Sequence, residues 1–155
     1  MQTKILLFVS IFFAFASPAF AQTGEARKID EVEGICCEDL RTRFDQFLYK
    51  IQENRELIGY IVFYGGKSHL FCDGQRRLPK RGELSELIYA VENHIKFRGQ
   101  NPTRFVWING GYKEDWTLEF WVVPGSAEPP KPAPTVEKRD IKFQKSRRIE
   151  TLCEF

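Results

Sequence analysis

The chain reads as an α+β protein, a two-layer sandwich in the order β-α-β-α-β-β with two helices on one face of a mixed sheet. Three observations predict this. Two stretches repeat apolar residues at helical spacing. Dense β-branched and aromatic runs bounded by glycines follow each of them. The 155-residue chain, once its leader is set aside, has the length of one domain with one core. Two helices of this kind hide their apolar stripes by packing on one face of the sheet.

The elements follow in order. Residues 1–21 form an export leader: Lys4 is its basic head, Ile5 to Ala16 its apolar run, Ser17-Pro18 a break and Ala19-Phe20-Ala21 a small-x-small cleavage site. The protein is thus expected outside the cytoplasm, periplasmic or secreted, with no transmembrane segment after signal cleavage. Residues 22–125 form the folded domain. A short strand is expected around Arg27 to Asp30. A helix is expected from Glu38 to Asn54, because Leu40, Phe44, Phe47, Leu48 and Ile51 share one face and Glu38 and Asp39 suit its first turn. Gly59 to Tyr64 reads as a central buried strand closed by Gly65-Gly66. Residues 65–82 read as a long basic loop stapled by Cys72. A second helix is expected from Glu83 to Arg98, stopped by Gly99, with Leu84, Leu87, Ile88, Val91 and Ile95 inward. Arg104–Asn109 and Trp116–Val123 read as an antiparallel hairpin turning at Gly110-Gly111. Residues 126–135 form a stiff proline-rich linker rather than packed structure. Residues 136–155 form a charged tail in which Ile141 and Phe143 alternate like a short added strand.

Four cysteines, Cys36, Cys37, Cys72 and Cys153, follow the leader. An even number in an exported chain favours disulfides. Cys36 and Cys37 are adjacent, so each is expected to reach a distant partner, with Cys36–Cys72 and Cys37–Cys153 the favoured pairing. A formal charge of +2 lacks the basic excess of a nucleic-acid binder, so no nucleic acid partner is expected.

The runs Gly59 to Gly66, Arg81-Gly82-Glu83, Arg98-Gly99 before Thr103-Arg104, and Gly110-Gly111-Tyr112 with Leu118 to Pro124 resemble a family of secreted bacterial proteins of the Acidobacteria type. That family in turn is similar in layout to the OmpA-like domain. The resemblance implies an OmpA-like scaffold and a peptidoglycan-binding role. The OmpA-like pattern holds its ligand with a Thr-Asp after the central strand and an Arg in the next helix. Here Lys67-Ser68 follows Gly65-Gly66 and the helix carries Leu87, Ile88, Tyr89 and Ala90, so neither binding residue carries over.

Other candidate chemistries are weaker. Gly66-Lys67-Ser68 lacks the earlier glycine of a phosphate loop, because Ile61 stands there. His69 and Cys72 with Cys36 and Cys37 are chemically adequate for zinc, but export favours disulfides, and no metal or cofactor is expected. His69 or His94 beside a thiolate, or the acid pairs Glu83/Glu86 and Asp115/Glu119, would be needed for catalysis, and helix-start and hairpin acids are commonplace. His94 reads as a solvent-edge residue. On the last strand Leu118, Phe120 and Val122 oppose Thr117, Glu119, Trp121 and Val123. If the helices cover the first set together with Val106 and Ile108, then Trp107 and Trp121 share the helix-free face, where paired Trp rings suit a sugar or a protein. The expected function is a non-enzymatic binding or structural module of the cell envelope. Its contact would be Trp107 and Trp121, or the loop cations Lys67, Arg76, Arg77, Lys80 and Arg81, and its partner a cell-wall polymer or an envelope protein. The alternatives are a small exported hydrolase with a site under the 65–82 loop and a protein-interaction partner in an envelope assembly.

Overall fold

The computed structural model describes residues 24–145. The leader 1–21 and Cys153 lie outside the described residues. The elements are β1 (Arg27–Glu33), α1 (Cys37–Glu53), β2 (Leu57–Leu70), β3 (Arg76–Arg77), α2 (Glu83–Phe97), β4 (Phe105–Asp115) and β5 (Thr117–Pro124), with 3-10 turns at Pro102–Arg104 and Lys138–Asp140. The α+β class, the mixed sheet and the pair of helices are as the sequence predicts.

Both helices form where apolar spacing and end charges agree. Leu40, Phe44, Phe47, Leu48 and Ile51 of α1 are buried, and Glu38 and Asp39 occupy its first turn. Arg104 gathers the carbonyls at the end of α1 and the start of β2, donating to the Ile51, Asn54 and Leu57 oxygens at 2.5, 2.6 and 2.9 Å. That one side chain answers the unsatisfied acceptors of a helix end. On α2 the buried set is Glu83, Leu87, Val91, His94 and Ile95. His94 is therefore not the solvent-edge residue the sequence suggests. It packs on the Phe44 ring and its Nε2 lies 2.8 Å from Asp45 Oδ1, so a neighbouring carboxylate makes its burial tolerable.

The strand order β1-β5-β2-β4 places β2 at the centre, antiparallel to β5 and parallel to β4. Consequently β4 and β5 are not the antiparallel hairpin their sequence predicts. They lie on opposite sides of β2 and are joined across it through Trp116 alone. A Cβ on Gly66 would stand 2.4 Å from the Trp116 nitrogen and 2.9 Å from the Asp115 carbonyl carbon. Only glycine lets one backbone pass this close over another.

The double glycines are thus interior features of strands rather than their ends. A Cβ on Gly65 would stand 2.7 Å from the Tyr112 ring, and one on Gly110 2.5 Å from the Tyr64 ring. Gly110 is the extra residue of a bulge between Phe63 and Tyr64 in the β2–β4 ladder. Past the crossing β2 continues to Leu70. The chain then turns at residues 71–75 and pairs β3 back onto His69 and Leu70. The predicted long loop is therefore mostly a hairpin.

One apolar core lies between the helices and one sheet face: Ile61 and Phe63 of β2, Phe105 of β4 and Leu118, Phe120 and Val122 of β5 meet Phe44, Phe47, Leu87, Val91 and Ile95. Phe120 stacks on Phe47 at 5.1 Å and lies 5.9 Å from Phe44. The other face carries no helix among the described residues. It is crossed by the proline-rich segment, whose Ala133 N–H donates to Tyr64 Oη at 3.1 Å and whose Thr135 and Val136 N–H groups both donate to Tyr112 O at 3.0 Å. Proline keeps this strap extended; most of its side chains are exposed, and those backbone hydrogen bonds tie it to the sheet. Residues 141–143 add no strand: Ile141 is buried and the Phe143 ring meets Tyr112 edge-on at 6.4 Å.

Candidate functional site

The Cys36–Cys72 disulfide closes the far end of β2 onto the start of α1. Ile35 N–H donates to Leu70 O at 2.7 Å beside it. These thiols are consumed by the bond, so the His69/Cys72 zinc arrangement does not form. Cys37 is not a free thiol, and its favoured partner Cys153 lies outside the described residues. Among the described residues no group of three His, Cys, Asp or Glu side chains is set to hold a metal.

Three of the five predicted loop cations are ion-paired. Arg76 forks onto Asp115 at 2.5 and 3.3 Å and donates to Ser68 Oγ at 2.7 Å. Arg77 reaches Glu83 Oε1 at 2.5 Å, and Lys67 lies 3.5 Å from Glu114. Hydrogen bonding and charge from Asp115 raise the Arg76 pKa above its ordinary value. These residues stitch the β2–β3 hairpin to β4 and α2. The candidate acids are engaged separately: Glu83 accepts from Arg77, Asp115 serves Arg76, and Glu119 belongs to another network.

The two tryptophans separate. Ile61 is registered with Trp107 and with Phe120, so Trp107 points to the helix side, where it packs against the core. Val106 and Ile108 take the opposite face. Trp121 does lie on the helix-free face, opposite Tyr60 and Lys28. Its Nε1–H donates to Glu119 Oε2 at 3.0 Å. Half-buried, it walls an open groove of about 560 Å3 together with Ala26, Glu128, Pro130 and Lys131.

Glu119 anchors a network that sequence reasoning missed. Lys113 donates to it at 3.0 Å and to Glu31 at 3.3 Å, and its ammonium sits 4.2 Å from the Tyr64 ring centre. Tyr64 Oη donates to the same carboxylate at 3.4 Å. Burial raises the Tyr64 pKa, whereas Lys113 is pulled down by burial but carried above its ordinary value by Glu119 and Glu31. The available signal was Glu119 itself, a carboxylate on a strand otherwise rich in apolar residues.

A second small pocket, about 90 Å3, lies where β2, β4 and the start of α2 meet. Its walls include His69, Lys80, Glu83, Phe63, Tyr112 and Phe143. His69 is 1% exposed, and its Nε2 stands 3.4 Å from Glu83 Oε2. Burial, aided by the Arg77 charge, lowers its pKa from 6.5 to about 4. Its Nδ1 meets no partner among the described residues. Comparison with known protein families, curated proteins and solved structures finds no match for this chain.

Proposed function

We propose that this protein is a non-enzymatic module of the bacterial cell envelope, built on a divergent OmpA-like scaffold, which binds a cell-wall glycan along the groove beside Trp121. The observation that carries this reading is the Trp121 ring, half-exposed, oriented by Glu119 and bordered by the polar side chains of Glu128 and Lys131. A sugar presents a C–H face to such a ring and hydroxyls to its rim, and sites of this type combine an apolar wall with a few polar groups. The disulfide supports an oxidising, exported setting. The hydrolase alternative draws on the neutral His69 beneath residues 78–82. It needs a nucleophile or an activated water there, and the Ser68 hydroxyl is instead engaged by Arg76 and Asp115.

Co-sedimentation of the oxidised protein with insoluble peptidoglycan tests the reading. Saturable pelleting is expected, weakened roughly tenfold by Trp121→Ala and unchanged by Lys67→Gln. A folded wild-type protein that stays in the supernatant would end the cell-wall reading and leave an envelope protein as partner. Release of soluble sugar fragments would favour the hydrolase.

A further inference from the structure

Separately from the Trp121 groove, we propose that the pocket at the start of α2 binds a small uncharged group carrying a hydrogen-bond donor beside a methyl, of the acetamide class. Three observations converge on it. The first is the imidazole of His69. Its Nε2 faces Glu83, which also accepts from Arg77, so the ring proton sits on Nε2 and Nδ1 offers a lone pair. A buried acceptor without a donor is costly, and a ligand N–H or O–H that reaches it recovers that cost.

The second observation is charge. The Glu83 carboxylate is already met by Arg77 at 2.5 Å, so the pocket has little to offer an ammonium group. At Nδ1 itself, the buried lone pair of a neutral imidazole repels the oxygens of a carboxylate or phosphate. The depressed His69 pKa, about 4, keeps the ring neutral across the physiological range. A neutral donor is what remains.

The third is size and lining. About 90 Å3 is several times the room a single water needs, so the pocket admits a group of a few heavy atoms. Phe63, Tyr112 and Phe143 supply apolar surface for a methyl. The tail forms part of the wall: Gln144 N–H donates to Pro79 O at 2.9 Å, and the Arg81 guanidinium lies 4.7 Å over the Phe143 ring. The site thus depends on the C-terminal strap being docked.

The test is a titration of the oxidised protein with acetamide, read by nitrogen NMR of the His69 ring and by the Tyr112 and Phe143 ring protons. Saturable shifts of Nδ1 and both rings are expected, with sodium acetate and methylammonium producing none. His69→Leu, which keeps the core filled, is expected to weaken binding at least about tenfold. Phe143→Ala leaves the core intact and is expected to weaken binding by removing a wall. The proposal is overturned if acetamide leaves Nδ1 unmoved in folded protein, meaning the nitrogen meets only water. It is equally overturned if His69→Leu binds as tightly as wild type, or if acetate shifts Nδ1 as much as acetamide does.

Discussion

The two faces of the sheet are closed by different physics. On the helix side Ile61, Phe120 and Leu118 are at most 2% exposed and meet other apolar side chains. On the other side Tyr64 and Glu119 are also buried, but they are held by hydrogen bonds and by Lys113, beneath a strap without regular structure. The first face derives its stability from removing apolar area from water, which needs no particular partner geometry. The second depends on every buried polar group finding its mate. Changes to the first face should therefore scale with volume, and changes to the second with what is left unpaired.

The largest contrast is expected from Phe120→Ala. Phe120 is fully buried between Phe44 and Phe47, and its truncation should cost about 4 kcal/mol in urea denaturation. A loss under about 1 kcal/mol would show that the helix face is not the main core. Next comes a polar exception on the helix side. The His69 pKa falls from 6.5 when unfolded to about 4 when folded. The unfolded chain thus binds a proton first as pH drops. Stability is full above pH 6.5, declines between 6.5 and 4, and is about 3 kcal/mol lower below that window. His69→Leu should flatten this limb, and an unchanged acid profile in that variant would assign the limb to other groups. The smallest effect concerns the strap side. Glu119→Gln leaves Lys113 with a weakened partner and should cost about 2 kcal/mol, whereas Lys113→Met with Glu119→Leu should come within about 1 kcal/mol of wild type. If the double variant costs as much as the sum of Lys113→Met and Glu119→Leu made singly, the two groups are uncoupled and pairing does not govern the second face.

The legible parts of this molecule are those where local pattern and final environment coincide. The helical stripes from Leu40 to Ile51 and from Leu87 to Ile95 announce their buried faces, and the split of Leu118, Phe120 and Val122 from Thr117, Glu119 and Trp121 is observed. The facing of β4 was not legible, because Phe105 and Trp107 are as apolar as Val106 and Ile108. Alternation identifies two sets without saying which one faces inward. Gly65-Gly66 and Gly110-Gly111 look like strand ends, and what they answer is the approach of Tyr112, Tyr64 and the Asp115–Trp116 backbone from distant parts of the chain. The strap carries no periodicity, so its docking on Tyr64 and Tyr112 leaves no trace in its own sequence. As for the pocket, His69 and Glu83 stand out as chemistry-bearing residues, but they are 14 positions apart and only the β2–β3 turn brings them together.

The passage of the chain over Gly66 has a consequence for how the protein is made. Neighbouring strands that pair with each other give a folding chain an early, local nucleus, whereas β4 and β5 each require β2 to be present between them. Ordering must therefore close long loops before it is rewarded, which places the rate toward the slow end for small α/β domains, on the order of milliseconds to seconds. Until Trp116 has crossed and β5 has paired, one edge of β2 stays open to strands of other chains. By letting the chain cross, Gly66 is what allows both edges of β2 to be covered in the finished sheet.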